Sequence, residues 1–175
     1  MAKTRRYRDV PPFLRTPEHA FAWAERNVDL GDDFEEMRSH YEALAELYSD
    51  FANDAYDAGR VQIYRAVRVR QNAGLHVRFD CLGKAWSRER AGAGVYGSAP
   101  PFWRTMQDVV LTGIVNPFDI DWAYGFTSFL IYGEDQWEVS LLPQTPVLVT
   151  HIDDAPIEPV QGSSGTAGET WQTTC

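Results

Sequence analysis

Val61-Gln62-Ile63-Tyr64-Arg65-Ala66-Val67-Arg68-Val69-Arg70 constrains the fold more than any other stretch of the chain. Successive side chains of an extended backbone point to opposite sides, so Val61, Ile63, Val67 and Val69 share one apolar face of a strand. Arg65 stands in the middle of that face. A guanidinium held there without a partner is costly. It must either meet a neighbouring carboxylate or open onto a cleft that admits an anionic ligand. Arg68 and Arg70 fall on the opposite face and are expected to meet water.

Two helices are predicted before this strand. Thr16-Pro17-Glu18 combines a capping hydroxyl, a proline at the first helical position and an acid facing the dipole, and the helix should run to about Arg26. Gly31 breaks it, and Asp32 or Asp33 caps a second helix over about 33–57. On that helix Phe34, Met37, Tyr41, Leu44, Tyr48, Phe51 and Ala55 recur at spacings of three and four, a stripe expected to pack on the protein's own sheet. Gly59 ends it as a C-cap.

After the long strand, Leu82 to Ser87 reads as a short second strand. Ser87, with Glu89 two residues on, caps a short helix toward Tyr96, a role compatible with contacting a ligand. A third strand runs from Thr105 to Val115 and stops at Asn116-Pro117. Asp119 to Trp122 begins a turn or short helix, whereas Phe126 to Tyr132 fits a buried strand and a buried helix equally. From Gln136 the pattern alternates again. Trp137, Val139 and Leu141 face one way and Gln136, Glu138 and Ser140 the other, either as the solvated face of an edge strand or as a site beside a loop. Val147 to Ile152 is the last strand. One domain is expected over 1–153, with helices in 16–58 and a sheet core in 60–153. Residues 1–15, with five basic residues around Pro11-Pro12, form a lead-in, and 154–175 a flexible tail.

Composition narrows the function classes. Hydrophobic residues at 44% and aromatics at 13% imply a packed interior. The net charge of −9 disfavours general binding to nucleic acid or anionic membrane, which needs a basic field. Arg60, Arg65, Arg68, Arg70, Arg78, Lys84, Arg88 and Arg90 crowd the middle, however, where a local anionic ligand fits. No apolar run reaches roughly 18 residues, and the polar N-terminus lacks a signal-peptide core, so a cytoplasmic protein without membrane partners is expected. Cys81, Cys175, His19, His40, His76 and His151 show no metal-ligand spacing, and no metal is expected.

Arg65 on its apolar strand, Ser87 after Trp86, and Glu138 two residues after Gln136 together resemble the arginine–serine–glutamate pattern of mono-ADP-ribosyltransferases. This NAD-using family includes many bacterial toxins and phage-encoded modifiers. The resemblance covers Ile63 to Ile152. It includes the Leu82-Gly83 approach to Trp86-Ser87, the link from Asn116-Pro117 to Asp121-Trp122, and the final strand after a proline turn. It departs from the family at the second motif, commonly Ser-Thr-Ser, where Trp86-Ser87-Arg88 keeps one hydroxyl.

The resemblance implies an α+β, ADP-ribosyltransferase-like fold. N-terminal helices would pack on two small, mostly antiparallel sheets, with NAD as a substrate in the cleft between them. Arg65 would contact the phosphates or ribose of NAD. Ser87 would hydrogen-bond Glu138, Tyr96 or else Trp86 would stack on nicotinamide, and Gln136 would meet the acceptor. Cleaving the nicotinamide–ribose bond builds positive charge on the ribose, which suits a carboxylate at Glu138. In the family, glutamine at the position of Gln136 accompanies acceptors other than arginine, so transfer to another protein side chain or to a nucleobase is expected. NAD hydrolysis, an inert binding module of the same fold, and a purely structural Arg65–Glu138 ion pair are the alternatives.

Overall fold

The computed structural model describes residues 9–70, 82–94, 106–133, 137–157 and 172–173. Helix α1, Pro17–Asn27, starts as the sequence predicts, with Thr16 Oγ1 accepting the His19 N–H at 3.3 Å. Helix α2, Phe34–Ala58, ends at Gly59, whose φ of 67° is the left-handed conformation a glycine cap allows. Its stripe buries Leu44, Tyr48, Phe51 and Ala55, whereas Met37 near the N-terminus is 42% exposed. The stripe is covered by α1 and by α4, Trp122–Tyr132.

Among the described residues seven strands follow: β1 Val61–Arg70, β2 Ala85–Ser87, β3 Met106–Val115, β4 Glu138–Ser140, β5 Val147–Ile152, β6 Ala155–Pro156 and β7 Gln172–Thr173, with the short helix α3, Arg90–Gly94, after β2. They form one antiparallel sheet in the order β4-β2-β1-β3-β5-β6, with β7 also pairing β5. The expected pair of sheets is thus a single sheet among the described residues. The reason is β1, which pairs with β3 from Val61↔Val115 to Arg70↔Met106 and on its other edge with β2 at Tyr64↔Ser87. A strand used on both edges joins what would otherwise be two sheets. Ala155–Pro156 and Gln172–Thr173, inside the stretch expected as a tail, both pair with β5.

The ambiguous Phe126–Tyr132 run is helical. Asp121 Oδ1 accepts the Tyr124 N–H at 3.1 Å, and Gly133 closes the helix at a φ of 75°. A helix buries Trp122, Phe126 and Phe129 on one side, and these meet Tyr48 from α2 with ring centroids 6.1, 5.0 and 5.4 Å away. Trp137, one residue before β4, completes the cluster at 4.2 Å from Phe129. This aromatic core locks α2 and α4 against the β4 edge. No helix among the described residues is long and apolar enough to cross a membrane.

At the centre of the cluster the Tyr48 hydroxyl is buried without a hydrogen-bond partner. Burial pushes its phenol well above the ordinary range, helped by the nearby Asp121 and Glu138 charges and opposed by Arg88. The sign follows from linkage. Above about pH 10 the unfolded chain releases this proton and the folded chain does not, so stability is full below that pH and falls as pH rises beyond it. Tyr48→Phe is therefore expected to flatten the alkaline loss. It should also raise stability near neutral pH by about 1 kcal/mol, because a buried, unpaired hydroxyl is removed. Denaturant midpoints of both proteins at neutral and alkaline pH test this, and an unchanged alkaline slope would contradict it.

Candidate functional site

Burial along the apolar face of β1 declines from its start. Val61 and Ile63 are buried, whereas Arg65 and Val67 are only partly so, and Arg65 opens onto a cleft of about 320 Å³. The cleft is lined by Tyr64, Arg65 and Ala66 of β1, Ala85, Trp86 and Ser87 of β2, Ala93 of α3 and Glu138 of β4. Four of the residues singled out from sequence, Arg65, Trp86, Ser87 and Glu138, therefore line one cavity. Gln136 and Tyr96 lie outside the described residues.

The register of the sheet brings two of the four together, Ser87 and Glu138. Ser87 is the Cα partner of Tyr64 on β1 and of Glu138 on β4, so the short strand β2 sets the three in a row across the sheet. Directly opposed residues point to the same face. Arg65 reaches β2 differently, donating from Nη1 to the Ala85 carbonyl. Its guanidinium lies against Gly83, where the φ of 69° suits glycine and an added Cβ would come within 3.1 Å of Nη2. Gly83 thus leaves both the turn and the space that Arg65 uses.

Ser87 is nearly fully buried, and its Oγ accepts the Glu89 N–H at 3.1 Å, so it does cap the turn into α3. The expected hydrogen bond from Ser87 to Glu138 is replaced by another. Ser128 Oγ on α4 donates to Glu138 Oε2 at 2.9 Å. Sequence reasoning missed Ser128 because it lies in the run left unassigned between strand and helix. Only a helix started by Asp121 brings its hydroxyl to β4, where the Asp121 N–H donates to the Ser140 carbonyl at 2.8 Å.

Trp86 belongs to the core as well as to the wall of the cleft. It is 3% exposed and donates from Nε1 to the Gly83 carbonyl at 3.2 Å. Gly113 on β3 gives it room, since a Cβ there would meet Trp86 Cζ3 at 3.3 Å and Val147 Cγ1 at 2.6 Å. Arg88, which occupies the altered position of the second motif, packs its guanidinium over Phe51 and Trp137, 4.3 and 4.4 Å from the ring centroids. Burial there lowers its pKa, with Glu89 and Asp54 opposing the shift. Arg88 is thus a cation–π bridge between α2 and the start of β4. Among the described residues no group of three or more His, Cys, Asp and Glu is placed to hold a metal.

The cleft presents a cation on one strand, a half-buried carboxylate on another and an apolar wall between them. Such a site can hold an anionic ligand at Arg65 while setting negative charge against a centre that becomes positive. No protein-family model, no curated protein and no solved structure matches the chain.

Proposed function

We propose that this chain is a cytoplasmic, NAD-dependent mono-ADP-ribosyltransferase with an ADP-ribosyltransferase-like fold. The observation that carries the reading is that Arg65, Ser87 and Glu138, far apart in sequence, line a single cleft. In this reading Arg65 contacts the phosphates or ribose of NAD, a task for which a permanently charged planar donor is suited. Glu138 faces the ribose that becomes an oxocarbenium-like centre. The bond between nicotinamide nitrogen and ribose C1′ breaks with its electron pair leaving on neutral nicotinamide. The acceptor then bonds to C1′ and loses a proton.

A cleft of about 320 Å³ lies at the small end of ligand pockets, suited to nicotinamide and its ribose rather than to the whole dinucleotide. Trp86 supplies the apolar wall. The adjoining cleft also argues against a purely structural Arg65–Glu138 ion pair, which has no need of one. The acceptor is a macromolecule, with a protein side chain other than arginine favoured over a nucleobase by the chain's net negative charge.

Purified protein is expected to release nicotinamide from NAD, faster with cell lysate than without, and to label a lysate macromolecule with ADP-ribose. Release without labelling would assign NAD hydrolysis instead. Neither release nor NAD binding would leave an inert module.

A further inference from the structure

We infer that Ser128 on α4 is the positioning residue of this site, holding Glu138 in its working orientation in place of the serine on β2. The inference rests on the proposed transferase reading and adds to it a residue that the sequence pattern does not mark. Ser128 is 7% exposed, so water competes poorly for its hydroxyl, and it donates to Glu138 Oε2 at 2.9 Å. A hydrogen bond to an ionised carboxylate is stronger than one between neutral groups. Ser87, although directly across from Glu138, accepts the Glu89 N–H at its Oγ and makes no hydrogen bond to the carboxylate, whose side-chain donor is Ser128.

The bond is supported from behind. Asp121, which caps α4, donates its N–H to the Ser140 carbonyl of β4. Gly125, one turn before Ser128, lies so close to β4 that a Cβ would reach 3.2 Å from the Glu138 carbonyl oxygen. Helix and strand are therefore in fixed register, and the hydroxyl cannot drift from the carboxylate without moving α4. With Oε2 held, Oε1 remains for the ribose at the point where charge develops. A carboxylate fixed in advance need not reorganise as the bond to nicotinamide breaks.

The test is steady-state nicotinamide release from NAD by the full chain and by Ser128→Ala and Ser128→Thr, with unfolding midpoints for each. Ser128→Ala is expected to lower kcat about 10- to 100-fold, the range for losing a hydrogen bond to a charged group, with KM for NAD changed less than about twofold. Ser128→Thr keeps the hydroxyl and should recover most of kcat, which a loss of packing alone would not predict. If Ser128→Ala does not fold, Ser128→Cys carries the same test, since a thiol is similar in size and a weak donor. An active wild type whose kcat is unmoved by Ser128→Ala overturns the positioning role alone. A wild type that releases no nicotinamide overturns the transferase reading and this inference together.

Discussion

Glu138→Gln is expected to reduce nicotinamide release by about 10²–10³-fold while leaving NAD binding and the unfolding midpoint nearly unchanged, the largest loss any single substitution in the cleft should cause. The two side chains are almost isosteric. A glutamine carbonyl oxygen can still accept from Ser128 Oγ, so the local packing survives. What disappears is the negative charge. At about 4 Å from a developing positive centre, in a site of effective dielectric near 20, that charge contributes about 4 kcal/mol, more than enough for the expected rate loss. Single-turnover release, NAD titration and thermal unfolding of both proteins measure the three quantities. Wild-type rates in the variant would remove Glu138 from the chemistry, and a large fall in midpoint would make it a structural residue.

The second large effect concerns stability. Gly125→Ala should destabilise the protein by about 1–3 kcal/mol, although alanine is the better helix former by about 1 kcal/mol. Packing outweighs propensity here. A Cβ at this position runs into the Tyr48 hydroxyl, well inside van der Waals contact, and approaches the Glu138 carbonyl oxygen at 3.2 Å. Tyr48 is held by rings on several sides, including Phe51, Trp122, Phe126, Phe129 and Trp137, so it cannot simply retreat. For a chain of this size the midpoint should fall by about 2–4 °C per kcal/mol. Because the nearest clashing atom is the hydroxyl oxygen, Tyr48→Phe should relieve part of the loss, giving a coupling of about 1 kcal/mol in a double-mutant cycle. Additive effects would show that the clash is relieved elsewhere, and a raised midpoint for Gly125→Ala alone would mean that propensity wins.

The two sets of measurements meet at the same junction. Gly125 allows α4 to approach β4, and that approach brings Ser128 to Glu138. Any bulk at Gly125 that moves the helix should therefore disturb the carboxylate as well as the core. The aromatic cluster of α2, α4 and Trp137 is thus the support on which the orientation of Glu138 depends.

Much of this molecule could be read from sequence because the relevant forces are local. The start of α1 depends on Thr16 and Pro17, the end of α2 on Gly59, and the strand character of β1, β3 and β5 on patterns contained within a few residues. The alternation after Gln136 likewise put Trp137, Val139 and Leu141 on one side of a strand, and all three are buried. Arg65 was marked by a conflict between its charge and its apolar neighbours, which a cleft now accompanies. Tertiary structure alone decided the rest. Whether the strands made one sheet or two depended on the link between β1 and β2 at Tyr64 and Ser87. Whether Phe126–Tyr132 was helix or strand depended on which geometry could bury its aromatics against Tyr48. Whether Ser87 or Ser128 held Glu138, and whether Arg88 faced the cleft or the rings of Phe51 and Trp137, depended on partners far away in sequence. Periodicity and capping act over a few residues and leave their mark in the order of side chains. The partner of a hydroxyl or a guanidinium is chosen among groups that only folding brings within about 3–4 Å, and no local pattern records that choice.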